Sequence, residues 1–195
     1  MILIGLMATM LLGAEPTTVQ EAINKDFTFN GKPIHPGVVW EFEVWLSDGD
    51  PARVNTVDLE SCMTSNKNFL PAQKTEGGFL TCRDGGPTPK DDDHYFSYRH
   101  LGVTSSGTHV LITESGGGGG TMRAMNVFLV RFDSEDYFMW KSGSQKPETK
   151  KRAVLKCVGQ FVLGDRDDGT EELKGDVLTL GKSRYREKAV TYELP

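Results

Sequence analysis

Apolar and polar positions alternate along much of this chain, most clearly over residues 94–132. That stretch reads His94-Tyr-Phe-Ser-Tyr-Arg-His-Leu101, then His109-Val-Leu-Ile-Thr-Glu114, then Ala124-Met-Asn-Val-Phe-Leu-Val-Arg-Phe132. Ser105, Ser106 and Gly107 separate the first two runs, and the five glycines Gly116 to Gly120 separate the last two. Aromatic and β-branched side chains suit a pleated surface, and glycine and serine clusters suit turns, so the pattern predicts consecutive antiparallel strands.

A register follows for the first hairpin. With Ser106 and Gly107 as a two-residue turn, Val103 faces Val110, Leu101 faces Ile112 and Arg99 faces Glu114, all on one side of the sheet. The other side carries His94, Phe96, Tyr98 and His100 on one strand and His109, Leu111 and Thr113 on the next. This mixed aromatic and polar face nominates Tyr98, His100 and His109 as ligand-binding residues. The same register sets His109 opposite Thr104, roughly 13 Å along the ladder from His100, with His94 roughly 20 Å from His100 on one strand. Zinc ligands lie about 2 Å from one ion, so no metal is expected there.

Elsewhere the pattern is shorter. Phe27 to Phe29 followed by Asn30-Gly31 predicts a strand end and a tight turn. Residues 38–46 alternate, with Trp40, Phe42, Val44 and Leu46 on one side, and predict a strand whose hairpin partner is 54–59, across a turn at 47–51. Thr17 and Gln20 suggest a capped short helix over 17–24. Residues 61–90 are the least regular, with one strand-like piece at 79–82. Asp133 to Asp136 predicts a turn into a strand at 137–140, and 141–152 an exposed loop. Final strands are expected at 153–163, 177–180 and 189–194. About ten short strands without a fixed repeat predict an all-β fold, an antiparallel β-sandwich or flattened barrel.

Length and charge narrow the picture. At 195 residues one domain can bury roughly 70% of the unfolded surface, so folding requires neither metal nor disulfide. A formal charge of −5 argues against nucleic acid as a partner, since phosphates need a basic face. The basic clusters Lys150-Lys151-Arg152 and Lys182, Arg184, Arg186, Lys188 read as solvated turns.

Residues 1–14 are apolar and uncharged up to Glu15. The run is too short to span a bilayer, which takes about 20 residues, so no transmembrane segment is expected. It fits a signal peptide cleaved after Ala14, leaving one β-rich domain over 15–195 in a secreted or periplasmic protein. In an oxidising compartment Cys62 and Cys82 can close a loop, a bridge that contributes roughly 3 kcal/mol. Cys157 then remains as a half-buried thiol, and no Cys-x-x-Cys occurs.

Motifs for chemistry are sparse. The glycine run lacks a following Gly-Lys-Ser/Thr and leads into a strand, so it is no phosphate loop, and a mobile hairpin loop is expected instead. Asp91 to Asp93, and Asp165, Asp167 and Asp168 with Glu171 and Glu172, invite calcium, but the glycine of the second cluster falls one place short of the calcium-loop pattern. Solvated hairpin tips are the plainer reading. There is no Gly-x-Ser-x-Gly elbow, and no cofactor is implied. The leading expectation is an exported, non-enzymatic binding or interaction module for an unidentified ligand or protein, with Trp45, Tyr98 and Trp140 as aromatic platforms. The alternatives are a hydrolase whose acid and base come from separate strands, and a structural subunit of an envelope assembly.

Overall fold

The structure is a computed structural model that describes residues 26–43, 55–65, 71–84, 93–143 and 146–195. Its centre is a seven-stranded sheet. The strands are β3 (Thr56–Asp58), β4 (Gln73–Lys74), β5 (Leu80–Arg83), β6 (Tyr95–Val103), β7 (His109–Gly116), β8 (Arg123–Met139) and β9 (Glu148–Asp165). They run in the order β3-β9-β8-β7-β6-β5-β4, every neighbouring pair antiparallel. A second sheet comprises β10 (Glu171–Lys174), β11 (Val177–Leu180) and β12 (Val190–Glu193), and a hairpin joins β1 (Thr28–Phe29) to β2 (Lys32–Pro33). Two short helices, α1 (Pro36–Trp40) and α2 (Leu59–Ser65), complete the described elements with a 3-10 turn at Glu76–Gly78. The all-β architecture expected from the alternation is what the chain adopts.

The main sheet is clad on both faces. Strand alternation sends Phe96, Leu111, Phe128, Val130 and Leu155 to one face, where Phe27, Ile34, Val38, Val39 and Leu59 from the hairpin and helices cover them. It sends Val110, Ile112, Val127 and Leu129 to the other, beneath Leu178, Leu180 and Leu194 of the small sheet. Val110, Leu111, Ile112, Val127 and Phe128 are each fully buried, and each contributes roughly 1.5–3 kcal/mol relative to exposure. Double cladding explains why the middle of β7 is apolar at successive positions, as it is in sheets covered on both sides.

Several expectations need correction. The described part of 38–46, residues 38–43, opens in a helix and contains no strand. His35 caps a helix, its Nδ1 accepting from the Gly37 N–H at 3.1 Å, and Pro36 occupies the first helical turn, where its fixed φ costs nothing. The described part of 54–59 pairs through β3 with β9 instead. The first hairpin closes through a wider loop: Thr104 N–H donates to Thr108 O at 2.9 Å and Thr108 N–H to Thr104 Oγ1 at 3.1 Å. With a bulge at Leu101, Arg99 then faces Ile112 and Ser97 faces Glu114. The Asn30-Gly31 turn does form, Thr28 facing Pro33 and Phe29 facing Lys32, with φ of +50° and +73° at the two turn residues.

No turn interrupts 133–136. β8 runs 17 residues and β9 18, paired from Ala124–Asp165 to Met139–Glu148. Beyond Val130 β7 no longer covers β8, and β3 meets β9 only at 154–156. Beyond Phe132 on β8 and before Ala153 on β9 the pair is therefore a two-stranded ribbon, largely solvated on both faces. Its acidic residues stay in the strand because cross-strand cations meet them: Lys156 Nζ lies 2.7 Å from Asp133 and 3.1 Å from Glu135.

The Cys62–Cys82 bridge is not formed, and none of the three cysteines is in a disulfide. Cys62 rides on α2, which packs over β3 and β9, while Cys82 points into the core from β5, four strands from β9. At about 4.8 Å per strand, that exceeds the ~7 Å Cα reach of a disulfide. Burial, the main cause, pushes the Cys82 thiol up to about 12. The apolar run 1–14, the 17–24 helix, Trp45 and the 47–51 turn lie outside the described residues. Among those described, no helix is long and apolar enough to cross a membrane.

Candidate functional site

The three nominated residues do converge, around a side chain of the chain itself. Phe27 sits at φ +54° just before the hairpin. Its ring lies 5.3 Å from Tyr98, 5.6 Å from His100, 5.3 Å from His109 and 5.7 Å from Phe132. Tyr98 donates its hydroxyl to Ile34 O at 2.6 Å. Phe27 is 1% exposed, Tyr98 5% and His109 3%, so this aromatic seat is already filled.

The corrected register also brings two histidines together. His109 Nδ1 and His100 Nε2 are 3.1 Å apart, against the roughly 13 Å that the two-residue turn implied. Burial and then the neighbouring His100 lower His109 to about 4, and burial lowers His100 against the opposing pull of the Gly102 backbone and Asp26. Among the described residues no group of three or more His, Cys, Asp or Glu can hold a metal. His94 is elsewhere: a Cβ on Gly118 would stand 2.5 Å from its ring.

That contact belongs to the glycine run, whose first part packs against Asp93, His94 and Tyr95 while Gly119 and Gly120 are exposed. A Cβ on Gly117 would lie 2.4 Å from Asp93 O, and Gly117, Gly118 and Gly119 all have positive φ. Only glycine tolerates both conditions. Beside this loop opens a cleft of about 310 Å³ lined by Arg83, Tyr95, Arg123, Arg166 and the loop residues Gly117, Gly120, Thr121 and Met122.

Three elements deliver the guanidinium groups. Arg83 ends β5 with its side chain over the Tyr95 ring, 5.8 Å from the centroid. Arg123 opens β8 and donates to Tyr95 Oη at 3.2 Å and to Glu114, which also accepts from Tyr95 Oη at 2.7 Å. Arg166 follows β9 at φ +51°, its N–H on Arg123 O at 2.9 Å and its Nη1 3.4 Å from Asp165. Burial, then Glu114, raises the Tyr95 hydroxyl. Three guanidinium groups thus line the cleft, two of them paired with Glu114 and Asp165, beside closely packed backbone. Planar guanidinium forks and glycine-rich backbone both suit phosphate, sulfate or carboxylate oxygens.

A second cleft, of about 270 Å³, is lined by Trp40, Glu41, Glu43 and Asp84. Glu43 accepts from Ser115 Oγ at 2.5 Å through Oε1, and its buried Oε2 has no partner among the described residues. Burial raises this carboxyl above its ordinary range, outweighing the Ser115 and Trp40 hydrogen bonds.

The acidic cluster at 165–172 faces arginines. Asp167, fully buried in its side chain, accepts from Arg186 at 2.7 and 2.9 Å, Asp168 lies 3.7 Å from Arg184, and Glu171 accepts from Arg99 at 2.7 Å. Part of the basic cluster expected to be solvated therefore neutralises the acidic one.

Reading the sequence missed Arg83, Arg166 and Glu43 altogether. The glycine run with Arg123 three residues beyond it was the one linear hint; strand pairing supplies the rest. Compared with protein-family models, with curated proteins and with solved structures, the chain matches none.

Proposed function

We propose that this protein is a non-enzymatic binding module that takes an anionic ligand, a small phosphate or sulfate ester, in the cleft between the glycine loop and Arg83, Arg123 and Arg166. The observation that carries it is the convergence of three guanidinium groups from separate elements on one cleft, with two carboxylates to balance them. The apolar run at 1–14 supports work outside the cytoplasm, secreted or periplasmic. A ligand that binds only the folded state raises its stability by about 2.7 kcal/mol at a hundredfold excess over Kd. The test is thermal unfolding with inorganic phosphate, sulfate and sugar phosphates, in the wild type and in Arg83→Ala with Arg166→Ala. A Tm that rises with anion and loses that rise in the double variant supports the reading. A Tm indifferent to every anion removes it.

A hydrolase reading has one observation in its favour. Glu43 holds its proton more tightly than usual in a cleft shared with Asp84 and Trp40, and two carboxyls in unlike environments suit acid and base roles. Turnover of a chromogenic glycoside that Glu43→Gln abolishes supports it, and no turnover across a glycoside panel removes it.

A further inference from the structure

The distal end of the β8–β9 ribbon carries the most exposed aromatic side chains among the described residues: Phe138 is 72% exposed and Trp140 69%. Phe138 lies on the face that buries Val130 and Phe132 nearer the core, but here nothing covers it. Its partner across the ladder is Thr149. Around this tip the charge reverses. Between positions 136 and 151 the chain has the lysines Lys141, Lys146, Lys150 and Lys151 against Asp136 and Glu148, in a chain whose net charge is −5. Lys141, Lys150 and Lys151 are solvent-exposed.

We propose that this tip docks on anionic lipid surfaces, with Phe138 and Trp140 entering the headgroup layer and Lys141, Lys150 and Lys151 meeting the lipid phosphates. Width favours a lipid surface over a protein partner. The ribbon end is two strands wide, whereas a stable protein interface takes about 800 Å² from each side. Two adjacent aromatics on a narrow projection fit a fluid interface, where Trp and amphipathic rings concentrate. Flanking lysines add attraction to acidic headgroups that falls with salt. The proposal is independent of the anion cleft, which lies at the opposite end of the same strands, roughly 50 Å away at the strand rise.

The test is co-sedimentation of the full chain with phosphatidylcholine vesicles, with and without phosphatidylserine. We expect binding to the anionic vesicles, weakened by salt, and roughly tenfold or more weaker in F138S/W140S and in K150E/K151E. Tm should be unchanged in both, since all four side chains are exposed. As a second readout, the emission that Trp140 contributes, taken as wild type minus W140F, should shift to the blue on anionic vesicles only. Equal binding by wild type and F138S/W140S overturns the proposal, as does equal binding to neutral vesicles. An oligomer in light scattering that F138S/W140S dissolves, without any lipid difference, overturns it in favour of a second copy of this chain.

Discussion

The two halves of the β8–β9 pair are one continuous ladder, yet they behave as different materials. Over 125–130 β8 is sandwiched between helices and the small sheet, and Val127, Phe128 and Val130 are fully buried, as is Leu155 on β9. Over 136–139 and 148–151 the same two strands stand alone, with Phe138 in solvent. Backbone pairing runs through both halves, with bulges only in the packed one, so stronger pairing is not what separates them. The difference lies in whether neighbours cover the faces: apolar burial stabilises the first half, while in the second, cross-strand charges keep an uncovered ribbon soluble. Exposed ion pairs of that kind contribute about 0–1 kcal/mol each.

The sharpest way to break this contrast is a matched pair of truncations. Phe128→Ala should cost about 3–5 kcal/mol in denaturant unfolding, and Phe138→Ala no more than about 0.5 kcal/mol. Similar losses at the two sites would mean that the ribbon is covered after all.

Next in size is a pH effect confined to the packed half, where His109 sits opposite Val130. In the unfolded chain His109 takes up its proton near 6.5, and in the folded protein only near 4. As pH falls from 7 towards 4 the unfolded state therefore binds more protons and stability declines, by on the order of 3 kcal/mol for this group. His100, lowered in the same direction, adds to the decline. The raised Glu43 carboxyl works the opposite way, so the clean measurement is a difference. Stability from pH 7 to 4 in wild type should fall more steeply than in His109→Phe. Parallel curves would separate the histidine pair from stability.

Two glycines sharpen the contrast further. Gly117 and Gly143 both have positive φ, at +108° and +85°, but an added Cβ would meet Asp93 O at 2.4 Å in the first and open space in the second. Gly117→Ala should therefore cost about 2–3 kcal/mol and also weaken anion binding in the adjoining cleft. Gly143→Ala should cost about 1 kcal/mol, from the backbone alone. The smallest effect is expected at Lys156→Ala, which breaks the pairs with Asp133 and Glu135. The loss should be small and smaller still in high salt, and a loss unmoved by salt would argue that the cation packs rather than pairs.

How much of this was legible in the chain varies by residue. The strands at 95–103, 109–116 and 177–180 announce themselves because side chains alternate with the pleat, and Asn30-Gly31 because few other pairs adopt two positive φ values. The 36–40 helix was misread because its start depends on the His35 ring reaching Gly37, while the apolar spacing beyond it fits either period. The Asp133–Asp136 run looked like a turn because composition reports solvation, and a bare ribbon is as solvated as a loop. Alternation puts Tyr98, His100 and His109 on one face, but it could not show Phe27 arriving from 71 or more residues away to occupy it.

By itself, then, the sequence determined the class of fold, the faces of the central strands and the Asn30-Gly31 turn, because each depends on residues within a few positions of one another. The tertiary structure decided the register across the Thr104–Thr108 loop, the meeting of His100 with His109, the absence of a Cys62–Cys82 bond and the gathering of Arg83, Arg123 and Arg166. Those depend on which strands become neighbours and on bulges that shift the ladder by a residue. Neither leaves a local pattern, because the free energy that selects them comes from packing among segments far apart in the chain.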